Sequence, residues 1–372
     1  MKAVFAEGMR AHLDRLTKPR GSLGRLEDLV IRLAEIQERV PPEITKKAVY
    51  VFAGDHGIVA EGVSLYPQEV SYQMLLNILS GGAAINALAS GLDGGARPGT
   101  PGLTPMDGAP ASAWDLVAVD AGLAADTSRL PEAPNHLPPG RRFLNKKIGR
   151  GTANFLHQEA MIEAELDRAL KAGESLALDA VQQGYDLVAI GDMGIGNTST
   201  AAALLVASGF PLEEMVDRGT GIDMATLAHK QEVIARSIER HSPFLSPRDR
   251  LRKVGGYDLA MMAGFILGLK NRRIACIIDG FPVTGAAYMA WSMDSTVGDY
   301  LFAGHRSKVR GHALVLKALD LEPILDLGMH LGEGTGAVLG GYLIELAVKT
   351  ARTMATFDSA GVSESNHAEE TY

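Results

Sequence analysis

Five short apolar runs, each followed at once by glycine and polar residues, constrain the fold of this 372-residue chain most strongly. The runs are rich in branched side chains and show no polar alternation, which is typical of strands buried on both faces of a parallel sheet. Stretches with helical spacing separate them, and this alternation predicts a doubly wound, mainly parallel α/β sheet. The predicted strands are residues 48–53, 116–119, 187–190, 274–278 and 324–327, and the predicted helices between them are residues 68–89, 156–171, 198–207, 225–239 and 257–269.

Two further helical segments lie near the chain ends. Residues 26–39 have apolar side chains at amphipathic spacing, and residues 338–348 form a more apolar stretch. We expect the two to pair into a smaller helical domain built from both ends of the chain. The predicted division is residues 40–300 for the large α/β domain and residues 1–39 with 301–356 for the smaller one.

Two segments show no regular pattern. Residues 91–113 are dense in glycine and proline, so they are interpreted as a surface loop. Residues 357–372 turn polar and are expected to form a disordered tail.

Composition excludes several classes of protein. A net charge of -8 and a pI near 5.7 leave no broad basic surface, so nucleic acid is not an expected partner. The single cysteine, Cys276, lies inside an apolar run, which excludes a disulfide framework and a multi-cysteine zinc site and favours a buried strand residue. The chain start lacks a signal-peptide pattern, and no stretch reaches the roughly 20 apolar residues of a membrane helix. We therefore expect a soluble, cytoplasmic protein with no membrane partner.

The position of the polar clusters predicts a binding site. In an open parallel sheet, ligands bind where the carboxyl ends of the strands meet, because backbone amides and helix N-termini converge there. The clusters that follow the apolar runs are residues 54–57, 120–122, 191–198, 279–281 and 328–336.

The glycine-rich turn at 191–198 is the candidate phosphate loop. Its exposed amides lead into a helix, an arrangement that suits a phosphate. Its glycine spacing matches neither the dinucleotide fingerprint nor the Walker loop, and a tight turn capped by Asn197 or Thr198 explains the pattern equally well. A second glycine turn at 219–223 precedes a helix carrying Lys230, a candidate counter-charge, although a lone lysine is more often solvated.

Glu333 is the candidate general base. It lies among glycines in residues 332–336, just before an apolar helix that would partly desolvate it and raise the pKa of its carboxyl. A negative residue that complements the dipole of this helix is an equally good interpretation, and the local pattern leaves both open. Asp279 is similarly open, since it could hold a ribose hydroxyl or cap loop amides.

Other chemistries find little support in the sequence. Asp55 and His56 could suggest a metal, but no partner stands at ligand spacing and the remaining histidines are scattered, so no metal is predicted. No serine-hydrolase elbow occurs. An NAD-dependent dehydrogenase is disfavoured, because the first strand is not followed by the dinucleotide fingerprint. A nucleotide-binding regulatory or carrier protein that uses the same glycine loops without chemistry remains an alternative.

Taken in order, the motifs resemble one family, the nicotinate-nucleotide:dimethylbenzimidazole phosphoribosyltransferases of the lower-ligand branch of cobalamin synthesis. Any one motif is weak, whereas the ordered set, which covers roughly residues 15–350, is highly specific. The motifs are KPRGSLGRLE at 18–27, AGDHG at 53–57, EGVS at 61–64, GGAAIN at 81–86, GDMGIGNT at 191–198, VGGYD at 254–258, DGF at 279–281 and LGEGTG at 331–336.

The resemblance implies a Rossmann-like sheet domain with a smaller helical domain, a homodimer and no metal or organic cofactor. It implies that nicotinate mononucleotide and 5,6-dimethylbenzimidazole react to nicotinate and α-ribazole 5'-phosphate. Glu333 matches the catalytic glutamate, which takes the ring N–H proton of the benzimidazole while its other nitrogen attacks C1' of the ribose. The nicotinate departs as a neutral ring and needs no protonation.

The resemblance also implies the substrate-binding residues. The residues of the glycine-rich turn, with Lys230 as their cationic partner, would hold the phosphate or ribose. Two further aspartates, Asp258 and Asp279, would reach the ribose. Asp192 stands where relatives often have glutamate, and Tyr66 replaces a smaller residue in some relatives; the 91–113 segment looks longer than usual. The residues are Asp192, Gly194, Gly196, Asn197, Thr198 and Lys230 for the phosphate loop, Asp258 and Asp279 for the ribose, and Tyr66, Gln73, Met74, Leu331 and Gly332 around the aromatic base.

Overall fold

A computed structural model describes residues 2–91, 113–130, 137, 140–216 and 223–363 of the chain. Within these residues, seven strands form one sheet in the order β3-β2-β1-β4-β5-β6-β7, and every neighbouring pair is parallel. The predicted doubly wound parallel sheet is therefore confirmed. The strands are β1 (Lys47–Gly54), β2 (Asp115–Gly122), β3 (Arg141–Asn145), β4 (Leu187–Met193), β5 (Ala275–Ile278), β6 (Leu301–His305) and β7 (Pro323–Leu325).

The α-helices of the described residues connect the strands and cover both faces of the sheet. Short 3-10 helices lie at Gly57–Glu61 and Ser295–Tyr300. The α-helices are α1 (Lys2–Asp14), α2 (Arg25–Gln37), α3 (Glu69–Ser80), α4 (Ala84–Ala89), α5 (Glu163–Gln182), α6 (Asn197–Val206), α7 (Leu212–Met215), α8 (Met224–His241), α9 (Pro247–Val254), α10 (Tyr257–Gly268), α11 (Phe281–Met293), α12 (His312–Ala318), α13 (Thr335–Thr353) and α14 (Phe357–Ala360).

Alternating side chains of β1 show how the two faces are covered. Lys47 forms an ion pair with Glu345 of α13, on one face. Tyr50 and Phe52 point to the other face, where their rings lie 4.9 and 5.8 Å from the ring of Phe265 in α10. Because successive side chains of a strand point to opposite faces, α10 and α13 sandwich the sheet.

The single helix predicted at 68–89 is wrong. The structure has two helices, α3 and α4, separated by a turn in which Gly81 has φ 88°, a left-handed conformation that ends α3. The helix predicted at 156–171 is displaced, since α5 begins only at Glu163. Strands β3 and β6 were not predicted at all.

The two chain ends meet on one side of the molecule. Helix α13 contacts α2, as expected, and His12 contacts the carbonyl of Ala351 at 2.7 Å. Helix α13 also covers β4 to β7, and β6 and β7 are strands of the common sheet although they come from the segment assigned to the smaller domain. The division into two domains stays a prediction.

Part of the expected disordered tail is ordered. Thr356 caps α14 by accepting a hydrogen bond from the amide of Ser359, so residues 357–363 are not a disordered segment. Residues 364–372 and nearly all of the 91–113 segment lie outside the described residues, as do residues 219–222 of the second glycine turn. No helix in the described ranges is long and apolar enough to cross a membrane.

Candidate active site

The candidate site lies at the carboxyl edge of the sheet, where the chain changes direction. Strands β2 and β3 extend the sheet on one side of β1, and β4 to β7 extend it on the other. This topological switch point opens a crevice between the ends of β1 and β4, the usual binding place in such sheets. The register pairs Phe52 with Asp192 and Ala53 with Met193, so the residues that follow these pairs line the crevice.

The loop that carries Glu333 returns to the end of β4. The amide of Glu333 donates a hydrogen bond of 3.2 Å to the carbonyl of Asp192. Gly191 makes this approach possible, because a Cβ atom at that position would clash with the backbone of Gly334. Three consecutive residues of the loop adopt left-handed conformations, with φ 91° at Gly332, 63° at Glu333 and 86° at Gly334. For a glutamate this conformation is strained, and such strain is common at functional sites.

The carboxyl of Glu333 is buried, with 2% of the residue exposed. Burial raises the pKa of this carboxyl, and the negative charge of Asp279 raises it further. A hydrogen bond from the amide of Ile85, at the start of α4, lowers the pKa but does not cancel the two other effects. Its Oε2 has no hydrogen-bond partner among the described residues. A carboxyl with a raised pKa and a free oxygen can accept a proton from a ligand, which fits a general base.

Asp279 anchors the same loop. Its Oδ2 accepts a hydrogen bond from the amide of Gly334 at 3.0 Å, and its Oδ1 accepts from the amides of Gly336 and Ala337 at 2.8 and 3.0 Å. Behind it, Nε2 of His305 lies 3.5 Å from Oδ1. The carboxylate at the N-terminus of α13 is therefore that of Asp279, which leaves the carboxyl of Glu333 available. Contact of Asp279 with a ribose stays a prediction, and both of its oxygens already accept backbone hydrogen bonds.

The glycine-rich turn joins β4 to α6 through hydrogen bonds of its own side chains. Gly196 precedes α6 with φ 94°, and Nδ2 of Asn197 donates to Oδ2 of Asp192 at 2.8 Å. Lys230 of α8 is buried, and its Nζ lies 3.4 Å from Oγ1 of Thr198. The structure thus brings these predicted residues together, and Lys230 is not a solvated surface lysine.

A second, fully buried group of side chains lies directly behind this turn. His56 contacts Oδ2 of Asp258 through Nε2 and Oγ1 of Thr200 through Nδ1, both at 3.0 Å. Burial opposes ionisation of both His56 and Asp258. Their mutual attraction outweighs this effect, so the pKa of the histidine is raised and that of the aspartate is lowered. Burial and the neighbouring charge of Asp258 raise the pKa of Asp192 well above its usual range.

The residues predicted around the aromatic base lie on α3, in the segment just before it, and on the Glu333 loop. The hydroxyl of Ser71 in α3 accepts a hydrogen bond from the amide of Ile195 at 3.0 Å, which holds α3 beside the glycine-rich turn. Tyr66 and Leu331 are half-exposed apolar side chains, Gln73 is exposed and Met74 is partly buried. Exposed apolar side chains of this kind suit a planar ligand, but the base pocket itself stays a prediction.

Two large clefts lie away from this site. One of about 810 Å³ is lined by residues that include His157, Met161 and Tyr257. The other, of about 570 Å³, is lined by residues that include Arg32 and Trp291. Neither contains Glu333 or the glycine-rich turn.

Sequence reasoning missed several contributors. His56 directly follows the first strand, where the sequence suggests only a possible metal ligand. His305 stands in no motif, and Thr200, Ser71 and the amide of Ile85 give no signal in the sequence. The described residues contain no group of three or more His, Cys, Asp or Glu side chains that could hold a metal ion.

Comparison with known proteins gives a family for the chain. A family model described as phosphoribosyltransferase matches residues 1–98 and 109–362, and the break lies within the glycine- and proline-rich segment. The nicotinate-nucleotide–dimethylbenzimidazole phosphoribosyltransferase of Chloroflexus aggregans is 45% identical over 98% of this chain and 95% of its own length. The protein of that name from Thermus thermophilus is 44% identical over 97% of this chain and 98% of its own length. The crystal structure of CobT from Thermus thermophilus superposes with a TM-score of 0.85 at 42% identity, covering 97% of this chain and 100% of that one.

Proposed function

The chain belongs to this phosphoribosyltransferase family, and on that basis we propose that it makes α-ribazole 5'-phosphate for the nucleotide loop of cobalamin. It transfers the phosphoribosyl group of nicotinate mononucleotide to 5,6-dimethylbenzimidazole and releases nicotinate. The observation that carries the catalytic part of the proposal is the carboxyl of Glu333, which is buried, has a raised pKa and keeps one oxygen free of hydrogen bonds.

Glu333 serves the incoming base. One nitrogen of the benzimidazole attacks C1' of the ribose, and the bond between C1' and the pyridine nitrogen of the nucleotide breaks. Without deprotonation, the attacking ring would carry a full positive charge after bond formation, so removal of its N–H proton by Glu333 stabilises the transition state. The pyridinium of the nucleotide takes up the bonding electrons and leaves as a neutral ring. No proton donor is needed on that side, which is why a single carboxylate suffices.

The glycine-rich turn serves the phosphoribosyl end. Backbone amides at the start of α6 carry the positive end of the helix dipole, and the buried ammonium of Lys230 lies next to Thr198. This supports binding of the phosphate or ribose by Asp192, Gly194, Gly196, Asn197 and Thr198. Asp258 and Asp279 act behind the substrate, since their oxygens accept hydrogen bonds from the protein itself.

The aromatic base binds beside the Glu333 loop. Leu331 and Gly332 precede the catalytic residue directly, and Tyr66, Gln73 and Met74 lie on or next to α3. Half-exposed apolar side chains next to a buried carboxyl would cover the faces of a planar ring and leave its N–H pointing at the carboxylate.

The test is a product assay with the Glu333→Gln variant. Wild-type protein should release nicotinate from its mononucleotide only when 5,6-dimethylbenzimidazole is supplied. The variant should lose a factor of about 10² to 10⁴ in kcat, the usual contribution of a general base, with little change in binding of either substrate. Glu345→Gln is the matched control, because Glu345 is a partly buried carboxyl of α13 whose pKa is also raised by burial, yet it pairs with Lys47. Near-normal turnover of Glu333→Gln would reject Glu333 as the base, and wild-type protein that binds the nucleotide without turnover would support a carrier function instead.

We also propose that the enzyme works as a homodimer in the cytoplasm. The support is the ordered resemblance along the chain. Light scattering on the purified protein at micromolar concentration would measure the mass directly, and a monomer under assay conditions would overturn the dimer.

A further inference from the structure

We propose that His56 and Asp258 form a positioning pair that holds the glycine-rich turn in its binding conformation for the phosphoribosyl end of the substrate. The pair contacts the turn from behind and acts through Asp192 and Asn197. This inference rests on the proposed function, since it assigns a task within the same site. Both residues of the pair are fully buried and act through the side chains of the turn, so they are positioning residues.

The imidazole of His56 fills a space that the surrounding motifs leave for it. A Cβ atom on Gly194 would lie 3.3 Å from Nε2, and one on Gly196 would lie 3.2 Å from the Cβ of His56. A Cβ atom on Gly256 would lie 2.5 Å from Cε1. Glycines of two different motifs therefore enclose the ring, and a change in its position or size would move the turn. Buried polar groups with both ends hydrogen-bonded hold their neighbours rigidly.

A continuous set of contacts leads from this pair to the predicted phosphate site. The ring of His56 packs against Gly194 and Gly196 of the turn, and the charge of Asp258 acts on the carboxyl of Asp192. Oδ2 of Asp192 accepts from Nδ2 of Asn197 at 2.8 Å, and Oδ1 of Asn197 accepts from the amide of Thr198 at 2.7 Å. Thr198 stands in the first turn of α6, beside Lys230. Each contact fixes the orientation of the next side chain, so displacement of the pair would reach the amides that face the substrate.

Charge gives the pair a second task. Two carboxyls act on His56, those of Asp258 at the start of α10 and Asp55 after β1, and Asp258 also acts on Asp192 at the end of β4. The attraction between His56 and Asp258 raises the pKa of the histidine and lowers that of the aspartate, while burial and the charge of Asp258 raise the pKa of Asp192. His56 compensates the charge of Asp258. Loss of the histidine charge would leave the charge of Asp258 uncompensated behind the turn, which would disfavour binding of an anionic phosphate.

The test is the His56→Gln variant of the full-length protein, with kcat and KM measured separately for the two substrates. A glutamine amide can still donate to Asp258, but it carries no charge and loses the contact with Thr200. We expect KM for nicotinate mononucleotide, and its Kd by calorimetry, to rise about tenfold, the equivalent of about 1.4 kcal/mol. The kcat value and KM for 5,6-dimethylbenzimidazole should stay within about twofold, a split that general loss of structure would not produce.

His312→Gln is the matched control. His312 is fully buried in the same α/β core, contacts Thr284 at 2.8 Å and accepts from the amide of Ser307, and burial lowers its pKa to about 3. It should lose stability, as His56→Gln does, without a change in KM for the nucleotide. Thr200→Val and Thr200→Ser form a second pair for the case that His56→Gln does not fold. Thr200→Val should raise KM for the nucleotide about threefold. Thr200→Ser keeps the hydroxyl, so its KM for the nucleotide should equal that of the wild type.

The outcomes separate the two proposals. If the wild-type protein releases no nicotinate with 5,6-dimethylbenzimidazole present, the proposed function fails. If the wild type turns over and folded His56→Gln binds the nucleotide as the wild type does, only the positioning pair is overturned. The positioning pair would also be overturned if His312→Gln raised KM for the nucleotide as much as His56→Gln does. The same holds if Thr200→Ser showed the same high KM for the nucleotide as Thr200→Val.

Discussion

Replacing Asp279 by asparagine would separate the anchoring of the Glu333 loop from the chemistry of Glu333. The wild-type carboxylate accepts three backbone hydrogen bonds at the start of α13, from the amides of Gly334, Gly336 and Ala337. In Asp279→Asn, the remaining carbonyl oxygen can still accept from Gly336 and Ala337. The new NH₂ group would face the amide of Gly334, which is itself a donor.

The expected loss of stability follows from that geometry. One hydrogen bond to a charged group contributes about 1.5 to 3 kcal/mol, and a buried donor without a partner costs about 1 to 3 kcal/mol. The two figures describe the loss of the same contact, so we expect the free energy of unfolding to fall by about 1.5 to 3 kcal/mol, measured by urea denaturation. Gly334 directly follows Glu333, so the catalytic carboxyl should also move. A misplacement of about 1 Å costs about 10²-fold in rate, and we expect a fall of that order in kcat.

The pH dependence of kcat shows whether the charge of Asp279 acts on Glu333. Glu333 must be deprotonated to act as a base, so activity falls as the pH drops through its pKa. The negative charge of Asp279 raises this pKa in the wild type, in addition to the effect of burial. Neutralising Asp279 removes that contribution, and the acid limb of the kcat profile should therefore move to lower pH.

The control is Asp294→Asn. Asp294 also accepts a backbone hydrogen bond at a helix start, from the amide of Thr296, but it lies at the other end of α11 and is exposed to solvent. This variant should lose stability without a shift of the acid limb. An unchanged or upward-shifted acid limb in folded Asp279→Asn, together with a kcat within about twofold of the wild type, would refute the anchoring role.

Two further predictions concern packing. Gly191→Ala should reduce kcat at least about tenfold, because its Cβ atom would clash with Gly334 and push the Glu333 loop off β4. Gly209→Ala is the control: its Cβ atom meets nothing within 4 Å, but the φ of 98° is strained for alanine, so this variant should lose stability without losing kcat. Cys276 should resist alkylation in the native protein, since it is fully buried and burial raises the pKa of its thiol. Mass spectrometry after iodoacetamide treatment, with and without denaturant, measures this, and rapid labelling of the native protein would contradict the burial of β5.

The class of fold and the edge that carries the site could be predicted from the amino-acid sequence alone. Buried parallel strands read as continuous apolar runs, so β1, β2, β4 and β5 stand at their predicted places. Strand β3 was missed because it is an edge strand with two arginines and half-exposed side chains, which leaves no apolar run. The break between α3 and α4 was missed because apolar residues continue at helical spacing on both sides of Gly81.

Tertiary contacts decide which polar residue at that edge anchors a loop and which is available to a ligand. Asp279 and the amide of Gly334 are 55 positions apart in the chain, and His56 and Asp258 are 202 apart. Local periodicity reports which face of an element is buried, but strand order and register decide which distant side chains meet. For this reason the sequence named Glu333 without choosing between base and dipole partner. The structure assigned the helix N-terminus to Asp279, and with it left the carboxyl of Glu333 buried, partly unbonded and available for a proton.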